Sequence, residues 1–338
     1  MRNKLSRRQR REVCLVGGDF HPDLTEGIAK EMRIKVGQVA LSWHANTEPY
    51  ARFEESVRGK HVVIVQPHAP ANGRSAQDAL MQQHIMIDAA RRASAKEITA
   101  VAPVLWGARQ DRKAKGREPI SVAVSVGMFE KAKVSRIVSV DLHSPQSQAI
   151  FDGPFDHLVA YPLLTTAMMK HIKGDKDQYL VISPDAGRTK MSSLYSDDLG
   201  IGIAPFIPKK RDPSDSSKIV RSGFVPEADG RTCIMFDDMI DTAGTVQTAA
   251  EILHDSGAKE IYLAATHGFF SGPATQRLYD SPIDKILVTN TLPIADEPRE
   301  VLGDRLEIVS AAEMIGRALI EIITDGSVSQ LFGGNNAV

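Results

Sequence analysis

The sequence predicts an α/β protein of two duplicated domains, each with a mainly parallel sheet flanked by helices. Short apolar runs alternate with helix-period segments along the whole chain, the order expected of parallel βαβ architecture. The runs are continuously apolar rather than alternating, as strands covered on both faces are. The second half then repeats the plan of the first at a nearly constant offset.

In the first half "EVCLVGG", "HVVIVQP", "EITAVAPVL" and "RIVSVDL" read as strands, with "LTEGIAKEM" and "ALMQQHIMIDAARRA" as helices between them. In the second half "LVISPD" echoes "LVGGD", "TCIMFDD" echoes "HVVIVQP", "GAKEIYLAAT" echoes "SAKEITAVAP" and "KILVTNTLP" echoes "RIVSVDLH". The first pair is offset by 165 residues and the third by 163. This places a first domain over 10–164 and a second over 165–309, with the seam in "HLVAYPLL". The C-terminal helix, 310–335, is open to either domain and could join the first. Parallel sheets of this kind hold ligands beyond the carboxyl ends of their strands, so the tips "GGDF", "QPHAP", "RQDRK", "DLHS", "SPDAGR" and "DDMIDTAGT" are the places to look. The polar stretch "PKKRDPSDSSKIVRSG" has few apolar anchors and reads as a mobile loop.

At 338 residues the chain is long enough for two full cores, and 41 Lys plus Arg nearly cancel 42 Asp plus Glu. That balance argues against nucleic acid or an anionic membrane as partner. The basic start, "MRNKLSRRQRR", is expected to be a solvated, frayed terminus rather than an anion-binding tail; it lacks a following apolar stretch and so does not read as a secretory signal. No apolar run reaches the roughly 20 residues that span a bilayer. Cys14 and Cys233 each sit inside an apolar run, as buried core residues do. A reducing, cytoplasmic setting is expected.

The stretch with the most chemistry is "DDMIDTAGT", Asp237 to Thr245. The strand is expected to end at Phe236 and a helix to begin near Thr245. A loop at a helix N-terminus offers unpaired N–H groups and the positive end of the helix dipole, which suit a phosphate. Thr242 and Thr245 add hydroxyl donors, and Gly244 lets backbone come close to an anion. Asp237 and Asp238 would repel a phosphate, so they more plausibly grip neutral hydroxyls or a cation. A sugar phosphate combines both needs. A plain strand-to-helix turn with an N-cap would also place Asp and Thr here, but not the preceding acid pair.

At these residues the chain resembles the phosphoribosyl-diphosphate signature shared by type I phosphoribosyltransferases and ribose-phosphate diphosphokinases. "FEESVRGKHVVIVQP", "MIDAARRASAKEITAVAP", "ARQDRKAKGREPI", "SVDLHSPQSQAIFD", "VISPDAG", "ATHGFFSGPA" and "SVSQLF" resemble the diphosphokinase family alone, in order, over about residues 14 to 332. The resemblance implies two type I phosphoribosyltransferase-like domains, ATP and ribose 5-phosphate as substrates, and Mg²⁺ as cofactor. The β,γ-diphosphoryl group of ATP would pass to the C1 hydroxyl of the sugar, leaving AMP. No Walker A pattern occurs, which agrees with a phosphoryl-type enzyme outside the P-loop class.

By the same resemblance Asp241, Thr242, Ala243, Gly244 and Thr245 would hold the 5-phosphate, and Asp237 and Asp238 the ribose hydroxyls. His143 and Asp185 match magnesium-associated positions. Arg109, Gln110 and His143 match ATP-binding positions, as do Asn46, Thr47 and Glu48. Lys209 and Arg211 match a cationic pair that closes over the transferring group, Arg211 also meeting the sugar phosphate. Taken alone, several of these would be turn residues or solvated charge. A homo-oligomer, hexameric or dimer-based, is implied, and the family's best-known class has an allosteric site partly formed by "SVSQLF", Ser327 to Phe332.

Three stretches depart from the family pattern, one of them "QPHAPANGRSAQ", which is slightly longer than the usual loop. In "WHANTEPY" Thr47 replaces the usual Gly, and His44 or Trp43 must stack on adenine. In "SPDAGR" Arg188 stands where small residues are usual. The alternative reading is a catalytically weak or inactive regulatory homologue.

Overall fold

The structure, a computed structural model, describes residues 3–183, 189–204, 210–211, 219–220 and 223–332. By backbone contact these fall into two compact units: 3–160, 291–293 and 310–332 in the first, 161–290 and 294–309 in the second.

The first unit begins α1 (Arg7–Glu12), β1 (Val13–Gly17), α2 (Pro22–Met32), β2 (Val39–Trp43), β3 (Pro49–Phe53), β4 (His61–Val65) and α3 (Ala76–Arg92). It continues β5 (Glu97–Val101), α4 (Ser121–Lys131), β6 (Arg136–Val140) and β7 (Phe155–Leu158). Its sheet runs β1-β4-β5-β6-β7, every neighbouring pair parallel. Val62, Val63 and Ile64 on β4 are wholly buried, which is why the strand reads as an unbroken apolar run. On one face Val62 and Ile64 share a core with Met86 and Ile87 of α3 and with Val126 and Phe129 of α4. Burial of each such side chain stabilises the fold by about 1.5–3 kcal/mol. β2 and β3 form a separate antiparallel hairpin, Val39 opposite Phe53 and Trp43 opposite Pro49.

The second unit runs α5 (Tyr161–Met168), β8 (Tyr179–Ile182), α6 (Thr189–Leu199), β9 (Gly202–Ala204), β10 (Lys210–Arg211), β11 (Ile219–Val220) and β12 (Thr232–Ile240). Then come α7 (Gly244–Asp255), β13 (Glu260–Gly268), α8 (Ala274–Asp280), β14 (Lys285–Thr289), α9 (Asp296–Leu302) and β15 (Leu306–Val309). The sheet order is β15-β14-β13-β12-β8-β9, parallel throughout. Strand for strand, β8, β12, β13, β14 and β15 repeat β1, β4, β5, β6 and β7. Even the β8–β9 pairing has a counterpart, the parallel bridge between Leu15 and Val36.

Two expectations change. β12 does not stop at Phe236 but continues through both acids to Ile240, because β13 is equally long and pairs with it as far as Gly268. The basic start is not a frayed terminus. Ser6 and Gln9 close a capping box on α1, Leu5 is buried, and Gln9 Nε2 donates to Ile323 O. That carbonyl ends α10 (Ala312–Ile323), which packs on α2 in the first unit. Their approach is close: a Cβ on Gly27 would stand 2.7 Å from Ala312 Cβ, and one on Gly316 2.9 Å from Glu31. Of the polar stretch read as a loop, β10 pairs antiparallel with β11; Lys209 lies outside the described residues, as do Asp185 and Arg188.

Candidate active site

The acid pair and the phosphate-sized loop form one continuous strand–loop–helix in the second unit. Asp237 pairs in register with Ala265 of β13, and Asp238 N–H donates to Asp237 Oδ1 at 2.8 Å. Both acids are half-buried at the strand's carboxyl end. The chain then crosses Asp241–Ala243 into α7. Ala243 takes a left-handed conformation, φ 60° and ψ 3°, and no side chain caps the helix. The first N–H groups of α7 are therefore orphan donors beside the positive end of the helix dipole. Thr242 and Thr245 are exposed around them, and Gly244 is half-buried.

The duplicated unit supplies a control. At the matching place α3 follows β4, and its start is closed. Ser75 Oγ accepts from Asp78 N–H at 3.2 Å, and Asp78 Oδ2 accepts from Ser75 N–H at 2.9 Å. These bonds hold the Asp78 carboxyl below its usual range. An anion finds its place there already taken by a carboxylate. The residues matching Asp237 and Asp238 are Gln66 and Pro67, and Gln66 is wholly buried, donating to Gln82 Oε1 at 2.7 Å. At this matched place the second unit, and not the first, keeps acids and an uncapped helix together.

In the first unit, Asn46, Thr47 and Glu48 form the turn of the β2–β3 hairpin. His44 N–H donates to Glu48 O at 2.9 Å, Thr47 N–H to His44 O at 2.8 Å, and Glu48 N–H to Asn46 Oδ1 at 3.4 Å. Thr47 sits at φ 71°. A left-handed β-branched residue costs about 1–3 kcal/mol, a cost a glycine here would not carry. Trp43 is half-buried and held by its neighbours. Its Nε1–H donates to Asp19 Oδ2 at 3.0 Å, Phe20 meets it edge-on, and the Arg74 guanidinium lies 3.8 Å over its ring. His44 is exposed, edge-on to Tyr50. Of the two aromatic side chains, His44 is the exposed one.

Arg109 and Gln110 follow β5 at the carboxyl edge of the sheet. Gln110 Nε2 donates to Arg112 O at 3.1 Å and Pro119 O at 3.3 Å, so the amide nitrogen serves its own loop and the amide oxygen is what it can offer a ligand. His143 is exposed at the adjacent tip of β6. That tip is fixed from below: Asp141, at φ 37°, accepts from Ala160 N–H at 3.1 Å, and Leu142 N–H donates to His157 Nε2 at 3.0 Å. Burial pushes His157 down to about 4, which keeps it the neutral acceptor this bond needs. Arg211 lies on β10, opposite Ile219. Two contributors escaped the motifs, His157 beneath the β6 tip and Arg277, whose Nη1 donates to Thr242 O at 2.9 Å. Neither lies near its motif in sequence, so no local pattern marks it.

Residues 13–132 match the family model of the N-terminal domain of ribose phosphate pyrophosphokinase, and residues 203–333 match that of the phosphoribosyl synthetase-associated domain. The chain is 42% identical over 323 residues to the ribose-phosphate pyrophosphokinase of Bifidobacterium longum, covering 95% of this chain and 93% of that protein. It is 41% identical over 331 residues to that of Corynebacterium glutamicum, covering 97% and 98%. Among solved structures it is similar to phosphoribosylpyrophosphate synthetase from Mycobacterium smegmatis, with a TM-score of 0.81 and 39% identity over 93% of this chain and 100% of that one.

Proposed function

We propose that this chain, which belongs to the ribose-phosphate pyrophosphokinase (diphosphokinase) family, makes 5-phosphoribosyl 1-diphosphate and AMP from ribose 5-phosphate and ATP. The observation that carries the reading is the uncapped start of α7 behind the acid-tipped β12, set against the self-capped α3 of the duplicate. A sugar phosphate suits that constellation: the loop Asp241–Thr245 holds the 5-phosphate by N–H and hydroxyl groups, and Asp237 and Asp238 accept from the ribose hydroxyls. ATP is assigned to the first unit. His44 stacks on adenine, Asn46, Thr47 and Glu48 line the hairpin turn beside it, and Arg109, Gln110 and His143 meet the rest of the nucleotide.

The C1 hydroxyl oxygen attacks the β-phosphorus and gives up its proton to solvent, the bond from that phosphorus to the α,β-bridging oxygen breaks, and AMP departs with that oxygen. Catalysis of this kind is chiefly alignment and neutralisation of developing charge. Lys209 and Arg211 are assigned the cationic clamp. His143 and Asp185 would hold Mg²⁺. The two match separate magnesium-associated positions, and since this ion prefers oxygen ligands and keeps several waters, Asp185 would be the direct ligand and His143 would act through a bound water. When bound, it offsets charge on the diphosphoryl group. We assign the chain to the cytoplasm, as a homo-oligomer, hexameric or dimer-based, which light scattering would size. No helix of the described residues is long and apolar enough to cross a membrane.

The test is AMP formation by the purified protein with Mg²⁺, ATP and ribose 5-phosphate, with the sugar phosphate omitted or GTP or CTP substituted as controls. AMP is expected only with the sugar phosphate, matched one for one by phosphoribosyl diphosphate. Ribose 5-phosphate binding without turnover would instead make the chain the inactive regulatory homologue.

A further inference from the structure

The sugar-phosphate motif ends at Thr245, yet the loop it forms is held from outside the motif. Arg277 Nη1 donates to Thr242 O at 2.9 Å and lies 3.4 Å from where a Cβ on Gly244 would stand. In a trans peptide the C=O and N–H point to opposite sides. Anchoring the Thr242 carbonyl on one side therefore turns the Ala243 N–H toward the other. A guanidinium on the carbonyl also polarises the peptide, making that N–H a stronger donor.

The loop needs such a hold. Ala243 is left-handed at φ 60°, a conformation costing an L-residue about 1–2 kcal/mol, and no side chain caps α7. On the other flank, Ser271 N–H donates to Asp241 O at 2.8 Å. Arg277 is itself fixed by α8, whose last carbonyls are gathered by Arg305: Leu278 O at 2.7 Å and Tyr279 O at 2.9 Å.

We infer that Arg277 is a positioning residue for the sugar phosphate, presetting the Thr242–Ala243 peptide so that the loop meets the 5-phosphate with its N–H groups already aimed. The inference rests on the assignment of ribose 5-phosphate to this loop.

The experiment compares wild type with Arg277→Lys, Arg277→Gln and Arg277→Ala, by steady-state kinetics and by the rise in melting temperature that ribose 5-phosphate produces. In Arg277→Ala the KM for ribose 5-phosphate is expected to rise about ten-fold or more, the fold-change of one lost charge-assisted hydrogen bond. The KM for ATP and kcat stay within about two-fold, since the chemistry groups are untouched. The melting shift shrinks in the order Lys, Gln, Ala, and millimolar guanidinium partly restores the Ala variant. A merely structural arginine would move the ATP and sugar constants together and would not respond to guanidinium. An unchanged sugar constant in a folded variant, or loss of folding in all three, overturns the inference. Wild-type protein that makes no phosphoribosyl diphosphate would sink the proposed reaction instead, while the melting shift would still test Arg277 against the sugar phosphate.

Discussion

His44 and Trp43 are neighbours in sequence with different duties. Sequence offers both as partners for an adenine ring, since either has a π-face. What separates them is tertiary: Asp19 and Arg74, 24 and about 31 positions away, claim the indole edge and face. His44→Ala is therefore expected to raise the KM for ATP about ten-fold, the scale of one lost base stack, with ribose 5-phosphate unaffected. Trp43→Ala should instead cost about 2 kcal/mol of stability through lost packing. An ATP constant that moves in Trp43→Ala and not in His44→Ala would reverse the assignment. Lys209→Ala should lower kcat by about 10²-fold while the dissociation constant for ribose 5-phosphate changes little, as befits a charge that acts in the transition state. Equal losses in binding and turnover, read by single-turnover kinetics and calorimetry, would remove it from the clamp. The loop that carries the acids into α7 was legible because its residues are contiguous. Arg277 and His157 were not, because each reaches its target across the fold.

Elements were legible wherever their pattern is local. The continuous Val/Ile runs of β1, β4, β5 and β6 need no context to read as doubly covered strands. β12 was read short because two carboxylates look like a turn, and only the length of its partner β13 carries the strand past them. The α1 capping box was present as Ser-Arg-Arg-Gln, yet the surrounding arginines suggested solvated charge. α10 is strongly amphipathic, but an apolar stripe does not say which surface will cover it. That choice is made at Gly27 and Gly316, where the two backbones come close. Gly316→Val is accordingly expected to destabilise the first unit by about 2 kcal/mol, because its Cβ would meet Cβ and Cγ of Glu31 rather than a movable side-chain tip. Trp43 and Trp106 both lie in that unit, so fluorescence-monitored urea unfolding reads it directly. A wild-type midpoint in Gly316→Val would mean that α10 can shift away at no cost.

At the scale of the whole chain the duplication was legible because its period is fixed. It fades at the strand tips, where Gln66–Pro67 and Asp237–Asp238 serve different ends. The first unit should respond to acid. In the first unit burial lowers the pKa of His61, His68, His84 and His157, His68 being pushed down to about 3. His68 Nδ1 accepts from Trp106 N–H at 3.1 Å, which leaves its proton on Nε2, 2.9 Å from Gln83 Oε1. The neutral ring is thus fully satisfied, and a second proton would break the bond to Trp106. In the unfolded chain the imidazole titrates near 6.5. Between about 6.5 and about 3 the unfolded state holds a proton that the folded state does not. Stability is therefore whole above about 6.5 and falls as the pH drops, by up to about 1.4 kcal/mol per pH unit for each such histidine. Tryptophan fluorescence should show a urea midpoint well below its pH 7.5 value at pH 5, His68 alone contributing about 2 kcal/mol. His68→Asn keeps an acceptor for Trp106 but cannot titrate in this range. Its stability should be lower at neutral pH and its slope with pH shallower; a slope equal to wild type would show that His68 is not among the groups that sense the acid.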